Sequence, residues 1–464
     1  MAKGDIVKGL KKRNSQYEKM MLVRKKCEDV RAGQEAVHQG GETYLPKLSG
    51  QGQQEYNAYK MRAEFYEATG RTADAFQGMI QREPAVLSVE SPLLDDVTGD
   101  DEPLFDFTGD VLEMALVPGL GGILVDYSRP MDNISTMAQA QAAGLRPFLA
   151  LYDYKCIYDY WMHKKSFTRV VLEEMEHVRT GPEEMECVTY YRVLDLDDFG
   201  YYRQRKFQQT EGVDDNFVQI DDDFYPMMNG AKMTEIPFSF VGCHDDLPPL
   251  LGLVNMNLSH YLTTAEYENA CHFIGSPTPI LAGFGIQPGE SITMGGPALT
   301  PDDPAAKAYF LQLNGDSLVN LERNLERKEK SMAALGARML SSDSIAVTAT
   351  SDILRSTGEF SVLAQLTHST GRLLSWACSF MQRWAGLPDV TIVLNTDFLP
   401  MVATPQDITA WIAAAQSGNM SAQSVYENLK QGGVKMHGAT FEDEQAAIGE
   451  QPPMGLAVAP VAPK

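Results

Sequence analysis

Apolar and polar residues follow a helical period through the opening of the chain. Apolar and aromatic positions recur three or four residues apart over 1–40, among many lysines and arginines, and the pair Gly40–Gly41 is expected to end this helix. The same period predicts a second helix that ends near Gly70 and a short third helix from Arg71 to Gln81. The first part of the chain is therefore predicted to be helical.

The pattern changes to strands towards the middle of the chain. A helix predicted from Leu104 to Leu116 leads through a tight glycine-rich turn at 118–122 into a buried strand at Ile123–Tyr127. Apolar runs of strand length then follow at 148–152, 168–172, 187–194, 201–207 and 236–241. Because such runs, separated by turn residues, are typical of a strand meander, the first half of the chain is predicted to be α+β.

Three long helices are predicted in the second half of the chain, around one small unit of a different kind. The unit, residues 276–314, is rich in glycine and proline and contains two short strand-forming runs. The helices are predicted at Leu250–Ile274, Asp316–Met339 and Phe360–Trp384, and the short strands at 280–284 and 308–313.

The end of the chain is predicted to hold a strand at 391–394 and two short helices, Pro405–Ser417 and Ser421–Lys430. Ser421 suits the N-cap of the second helix, because its hydroxyl can accept a hydrogen bond from a backbone N–H of the first turn.

Composition and charge narrow the class of protein. The 464 residues include 39 Lys and Arg against 62 Asp and Glu, a formal net charge of −23, which argues against a protein that grips nucleic acid by its backbone. No apolar run approaches the roughly 20 residues that span a membrane, and the basic N-terminus lacks the apolar stretch of a secretory signal. We therefore expect a cytoplasmic origin and six free cysteine thiols, since no C-x-x-C occurs.

Candidate chemistry is sparse. Cys243–His244 and Cys271–His272 are candidate zinc ligands. Because adjacent side chains diverge and rarely bind one ion, we predict buried thiols beside histidines and no zinc site. The turn at 118–122 precedes its strand, whereas a phosphate-binding loop follows one. The cluster Asp221–Asp223 is compatible with a metal-dependent hydrolase, and equally with a solvated loop. No cofactor and no catalytic or metal-binding residue is predicted.

The order of the elements resembles phage portal proteins: an α+β module, a helix, a small Gly/Pro-rich β unit, a charged helix and a return to helices. The chain also resembles a family of phage proteins of similar length, long described only as a domain of unknown function. The resemblance rests on ordered short segments that span most of the chain: Tyr44–Lys47, Tyr59–Tyr66, Gly122–Tyr127, Arg146–Phe148, Ile236–Phe238, Pro248–Tyr261, Leu335–Leu340, Thr348–Ala349 and Gly418–Val434.

The resemblance implies a non-enzymatic ring of 12 subunits at one vertex of the capsid in the virion. Double-stranded DNA would pass through it during packaging and genome ejection without sequence-specific binding. The terminase large subunit, tail or adaptor proteins and the major capsid protein would be its partners, and no membrane is involved. The high negative charge would then line a channel that repels the duplex, so that DNA slides.

The portal parts can be assigned to ranges of this sequence. The ranges are a wing at 1–246, a first stem helix at 247–275, a clip at 276–314, a second stem or inner helix at 315–340, a channel loop with a long helix and return to the wing at 341–404, and crown helices with a tail at 405–464.

Site residues follow from the same assignment. Candidates for contact with the channel or DNA are Arg323, Arg327, Lys328, Lys330, Ser342, Asp343 and Ser344. Candidates for partner docking on the clip are Phe284, Ile286, Ile292, Met294 and Lys307. Two alternatives stay open at this point: another virion protein, such as an adaptor or minor head protein, and the metal-dependent hydrolase.

Overall fold

The computed structural model describes most of the chain. The described residues are 6–13, 15–128, 145–164, 166–179, 185–210, 216–275, 278–284, 304–311, 316–338, 361–398, 405–432, 434 and 440–450. The chain divides into two compact units, Met1–Thr396 and Asp397–Lys464.

Helices and strands are both abundant within the described residues, so the mixed α and β character is confirmed. The helices are α1 (Ser15–Arg31), α2 (Gln34–Gly40), α3 (Gln53–Arg62), α4 (Ala68–Ile80), α5 (Leu104–Leu116), α6 (Leu251–Gly275), α7 (Asp316–Arg338), α8 (Val362–Trp384), α9 (Pro405–Gln416), α10 (Ala422–Gln431) and α11 (Phe441–Glu450). The strands are β1 (Ile6–Val7), β2 (Val86–Leu87), β3 (Leu120–Tyr127), β4 (Pro147–Asp153), β5 (Ile157–His163), β6 (Ser166–Arg179), β7 (Met185–Leu196), β8 (Tyr202–Gln209), β9 (Phe217–Gln219), β10 (Met227–Met228), β11 (Ala231–Lys232), β12 (Phe238–Gly242), β13 (Thr278–Ala282), β14 (Lys307–Leu311) and β15 (Ile392–Val393).

The largest sheet has six strands in the order β1-β9-β8-β7-β6-β5, and every neighbouring pair is antiparallel. One face of this sheet forms a small apolar core that the N-terminal segment covers. The core residues are Leu10, Val171, Tyr191, Val193, Phe207 and Phe217. Successive side chains along each strand alternate between the two faces, so Arg192 of β7 projects from the opposite face, where it binds Asp126 of β3.

A three-stranded sheet, β12-β3-β4, forms the centre of the first unit. Its middle strand β3 is buried from Leu120 to Asp126, and helices α5 and α8 both pack against it. The turn that precedes β3 is confirmed at Pro118 and Gly119, with Gly119 at φ +67°, whereas the predicted turn residues 120–122 belong to the strand. The buried guanidinium of Arg24 donates a hydrogen bond to the carbonyl of Pro118 and so fixes this turn to α1.

The predicted N-terminal helices have different bounds in the structure. Residues 1–40 are not one helix, because Ile6–Val7 form strand β1 and Gly33, at φ +91°, separates α1 from α2. The predicted stop near Gly70 is also wrong: Gly70 is buried inside α4, next to Arg31, and the chain breaks earlier, between Arg62 and Ala68. Strands β5 and β9 were not predicted from the pattern.

The long helices of the second half are confirmed within two residues at each described end. Helix α6 begins at Leu251, α7 begins at Asp316 and α8 ends at Trp384. The two short strands between α6 and α7 pair as an antiparallel hairpin, β13–β14.

The second unit contains α9, α10 and α11 among its described residues. The predicted N-cap of α10 is confirmed, because the hydroxyl of Ser421 accepts a hydrogen bond from the backbone N–H of Ser424 at 3.1 Å.

Candidate assembly and channel surfaces

Helices α6 and α7 pack along each other, and the β13–β14 hairpin lies between them in the chain. Contacts along the pair show that the helices are antiparallel: Tyr267 of α6 meets Glu322 near the start of α7, whereas Ser259 meets Lys328 further along. The apolar side of α7 faces α6 through buried Met332 and half-buried leucines. Helix α6 buries its other side, including Val254 and Tyr261, in the body.

Polar contacts fix the register of the pair. The hydroxyl of Tyr267 donates to Glu322 Oε1 at 2.9 Å. The ammonium of Lys328 donates to the carbonyl of Ser259 at 2.7 Å and to Thr263 Oγ1 at 2.6 Å. These contacts are partly exposed, so each contributes only modestly to stability.

His260 is the buried titratable group between the two helices. Its side chain lies 3.5 Å from Glu329 Oε1 through Nε2, and Nδ1 lies 3.3 Å from the hydroxyl of Thr264. Burial lowers the pKa of His260, and this outweighs the nearby carboxylate of Glu329 while the ammonium of Lys328 acts in the same direction as burial. The imidazole is therefore neutral near pH 7.

The predicted channel residues on α7 do not share one direction. Arg323, Arg327 and Lys330 are exposed and four and three residues apart, so they form one row along the helix. Arg327 donates to Asn324 Oδ1 at 3.0 Å, and Lys330 lies 4.0 Å from Glu326 Oε2. Lys328 points towards α6 instead. Ser342, Asp343 and Ser344 lie outside the described residues.

The predicted clip residues are described only in part. Lys307 is exposed at the start of β14, near Tyr309 on the same strand, and Phe284 is half-buried just after β13. Ile286, Ile292 and Met294 lie outside the described residues. The exposed ring of Tyr309, at 54% of its free area, is an apolar group on the hairpin that the sequence pattern did not single out.

The carboxylate cluster at Asp221–Asp223 is held by neighbouring side chains. Asp223 accepts hydrogen bonds from Gln219 Nε2 at 2.8 Å and from Arg203 Nη1 at 2.9 Å. Although partial burial opposes the charge, these two partners hold the pKa of Asp223 below its usual value. Within the described part of the chain, no group of three or more His, Cys, Asp or Glu side chains could hold a metal ion.

The cysteines are free thiols, as the sequence predicts. Burial raises the pKa of both Cys27 and Cys378 to about 12, so neither is a ready nucleophile. Cys243 and Cys271 are half-buried, and the ring of the adjacent His244 packs against Tyr160 and Phe240.

A buried charge network joins the two sheets, and the sequence pattern gave no sign of it. The guanidinium of Arg192 on β7 donates to the carboxylate of Asp126 on β3, to Gln204 Oε1 at 2.7 Å and to Glu174 Oε1 at 3.1 Å. Gln204 Nε2 returns a bond to Asp126 Oδ1 at 3.1 Å. Because nearly every polar atom in this joint has a partner, it fixes how the two sheets meet.

Helices long and apolar enough to cross a membrane are not found among the described residues.

Known proteins provide three comparisons. Over residues 249–385, from the start of α6 to the end of α8, the chain matches a family model described as a domain of unknown function, DUF4055. No curated protein matches the chain.

Solved structures of gene transfer agent particles contain chains that are similar to this one. One is described as the virion of the native particle, with 11% identity, a TM-score of 0.37, and coverage of 85% of this chain and 98% of that chain. Another is the neck of the empty particle computed with C6 symmetry, at 13% identity, a TM-score of 0.35, and coverage of 81% and 92%. A third is the neck of the native particle computed with C12 symmetry, at 13% identity, a TM-score of 0.35, and coverage of 80% and 91%.

Proposed function

We propose that this chain is a phage portal protein, which assembles as a ring of 12 copies at one vertex of the capsid. The observation that carries the proposal is the antiparallel pair of α6 and α7 with the β13–β14 hairpin between them, followed by the long helix α8. This is the order of stem, clip and inner helix that the sequence resemblance implies. DNA would enter and leave the capsid through the ring.

The described residues favour a structural role over catalysis. The candidate hydrolase cluster has its Asp223 carboxylate bonded to Arg203 and Gln219, which leaves it poorly placed to bind a metal ion. The thiols of Cys27 and Cys378 are buried and protonated. A catalytic site needs a base, a nucleophile and a cleft that bring them together, and the proposed function requires none of these.

The row formed by Arg323, Arg327 and Lys330 would face the channel. It extends about 10 Å along α7, which covers only one or two phosphates of a passing strand. In a chain of net charge −23, such a short cationic row would centre the duplex without binding it tightly, because affinity for DNA grows with each phosphate neutralised. Lys328 holds α6 and α7 together instead.

The clip would be the docking site for the terminase large subunit during packaging and for a tail or adaptor protein afterwards. Exposed Tyr309, exposed Lys307 and half-buried Phe284 supply apolar and charged contacts there. The α/β wing would meet the major capsid protein, and the C-terminal helices would form the crown.

The size and shape of the purified protein test the proposal. Twelve copies of the 51.3 kDa chain have a mass of about 616 kDa, and negative-stain images should show rings with a central hole. Native mass spectrometry gives the copy number independently. A monomer or dimer at micromolar concentration, with no rings in the images, would rule out the portal assignment and favour a different virion protein.

Charge reversal tests the channel row separately. Arg323→Glu combined with Arg327→Glu and Lys330→Glu should leave ring assembly unchanged and lower the amount of DNA packaged per particle. The control is Lys19→Glu, a single reversal of an exposed cation on α1, to be compared with each of the three reversals made alone. Removing residues 343–357, which the sequence assigns to a channel loop, should likewise impair packaging without preventing assembly. Full packaging by these variants would contradict the assigned channel contacts.

A further inference from the structure

Phe199 lies at the tip of a hydrogen-bonded turn between β7 and β8. Its side chain is 85% exposed, more than any other large apolar side chain among the described residues. Asp197 holds the turn, because its Oδ1 accepts hydrogen bonds from the backbone N–H groups of Phe199 at 2.9 Å and Tyr201 at 2.8 Å. The backbone N–H of Asp197 also donates to the carbonyl of Tyr201 at 2.9 Å. These bonds fix where the phenyl ring is presented.

Neighbouring residues support the turn. The ammonium of Lys232 on β11 lies 5.4 Å from the ring centroid of Tyr201 and 3.9 Å from that of Tyr225. Gly200, at φ +82°, supplies the left-handed conformation that other residues rarely adopt. Single exposed apolar side chains are common on protein surfaces, but a ring on a backbone that is already fixed has less freedom to lose on binding. Phe199 therefore has the properties of an aromatic interface anchor.

A small apolar pocket is formed by other elements of the same unit. It lies between the end of α4, β2, the start of α5 and the residue after β15, and its volume is about 150 Å³. Its larger apolar lining residues are Ile80, Leu87, Leu104, Phe105 and Leu394. Two polar side chains of the lining are already bonded within the chain: Gln81 Nε2 donates to the carbonyl of Phe105 at 2.9 Å, and Thr108 Oγ1 donates to that of Leu104 at 2.7 Å. The pocket therefore suits an apolar occupant.

The pocket is about the size of one phenyl ring, since an apolar protein cavity of about 150 Å³ can take up benzene. Phe199 does not fill the pocket of its own chain, because its side chain is 85% exposed. The turn belongs to the six-stranded sheet, whereas the pocket is formed by α4, α5 and the β2–β15 pair. Two different surfaces of one chain that fit each other make a head-to-tail contact between copies, and such contacts give a ring when the rotation between copies closes.

We propose that Phe199 of one copy inserts into the apolar pocket of the next copy of this chain. The inference rests on the proposed ring and names one of its contacts. A Phe side chain that becomes covered buries about 150–250 Å², so apolar burial drives the contact. The affinity should therefore change little with moderate salt, in contrast to a contact between exposed charges.

Substitutions on both surfaces of the full chain test the contact. Phe199→Ser removes the ring, and Ala85→Phe, at a residue of the lining, fills the pocket from within its own chain. Each should raise the dissociation constant of the subunit contact at least about tenfold. Met61→Ser is the matched control, because Met61 is 81% exposed on α3, and it should leave assembly unchanged. Mass photometry across a concentration series reads out assembly, and thermal melting confirms that each variant folds.

Crosslinking tests whether the two positions meet. Cys187→Ser first removes the exposed native thiol. In that background, Phe199→Cys combined with Ala85→Cys should give a ladder of linked subunits on a denaturing gel after treatment with a short bismaleimide. Either new cysteine alone should give no ladder.

The outcomes separate this inference from the proposed function. Wild-type rings that are unaffected by Phe199→Ser would overturn the contact and leave the portal proposal intact. Rings that Phe199→Ser weakens, but that Ala85→Phe does not weaken and the cysteine pair does not link, would also overturn it, because Phe199 would then meet a different surface. A wild-type chain that forms no ring would overturn both.

Discussion

The joint between the two sheets and the pair of helices α6 and α7 use charged side chains in opposite ways. In the joint, Asp126 and Arg192 are at most 9% exposed, and they pair with each other and with Gln204. In the helix pair, the contacts of Tyr267 and Lys328 lie at the edge of the interface, and the row at Arg323 is left to solvent. Buried paired charges specify one geometry, whereas exposed charges stay available to other molecules.

The two regions therefore have different roles: the joint fixes the fold, and the helix pair presents charged side chains to solvent. The charged side chains of the joint are paired within the chain, so the geometry at which the two sheets meet does not depend on a binding partner. Helix α6 is held by buried contacts to the rest of the first unit, and helix α7 keeps most of its charged side chains exposed. Substitutions in the joint should therefore affect stability strongly, and those on the helix pair should affect it less.

The largest effect is expected in the joint. Arg192→Met leaves the carboxylate of Asp126 buried without its charged partner and with only the amide of Gln204 bound to it, which should lower the free energy of unfolding by about 3–5 kcal/mol in urea denaturation. Asp126→Leu combined with Arg192→Met removes both charges and should recover a large part of the loss. A loss below about 1 kcal/mol for Arg192→Met would show that the joint behaves like an exposed ion pair and would remove the contrast.

The second largest loss of stability is expected at Asn257, the buried residue whose hydrogen bonds hold α6 to the start of α4 and the chain just before it. Asn257 is fully buried, accepts hydrogen bonds from the backbone N–H and the hydroxyl of Thr69, and donates to the carbonyl of Tyr66 at 2.7 Å. Asn257→Ala leaves these groups without partners and should cost about 2 kcal/mol. Asn255→Ala, at an exposed position of the same helix, should change stability by less than about 0.5 kcal/mol. Equal losses of stability at the two positions would mean that the hydrogen bonds of Asn257 do not hold α6 in place.

The helices of this region could be predicted from sequence, but the joint could not. α6, α7 and α8 follow from apolar residues at helical spacing and from glycine and proline at their ends, which are local signals. Arg192 and Asp126 are 66 residues apart and on different sheets, so nothing local links them. β9 is three residues long, too short to show an alternation. The row at Arg323, Arg327 and Lys330 is visible in sequence, but the inward direction of Lys328 required the packing of α7 on α6.

The contact of Lys328 with α6 should have a smaller effect than either buried group. Lys328→Met keeps the aliphatic stem but removes hydrogen bonds to Ser259 and Thr263, and we expect a loss of about 1 kcal/mol in thermal or urea unfolding. Arg327→Met, one residue earlier and exposed, is the matched control and should be nearly neutral. If the control cost as much as Lys328→Met, the row would not be free for other molecules.

The smallest effect is expected from the pH dependence of the helix pair, and its sign follows from burial. Burial holds the pKa of His260 below its value in the unfolded chain. As the pH falls through the unfolded value of about 6.5, the unfolded chain binds a proton that the folded chain does not, so stability decreases towards acid. The groups that face the imidazole are Glu329 and Lys328 from α7, Thr264 from its own helix and the ring of Tyr66.

His260→Gln should flatten the stability profile between about pH 7 and pH 5.5. His272→Gln, an exposed histidine on the same helix, should leave the profile unchanged. A steeper profile for His260→Gln than for the wild type would mean that the imidazole is charged in the folded protein and pairs with Glu329, and the helix pair would then resemble the joint between the sheets.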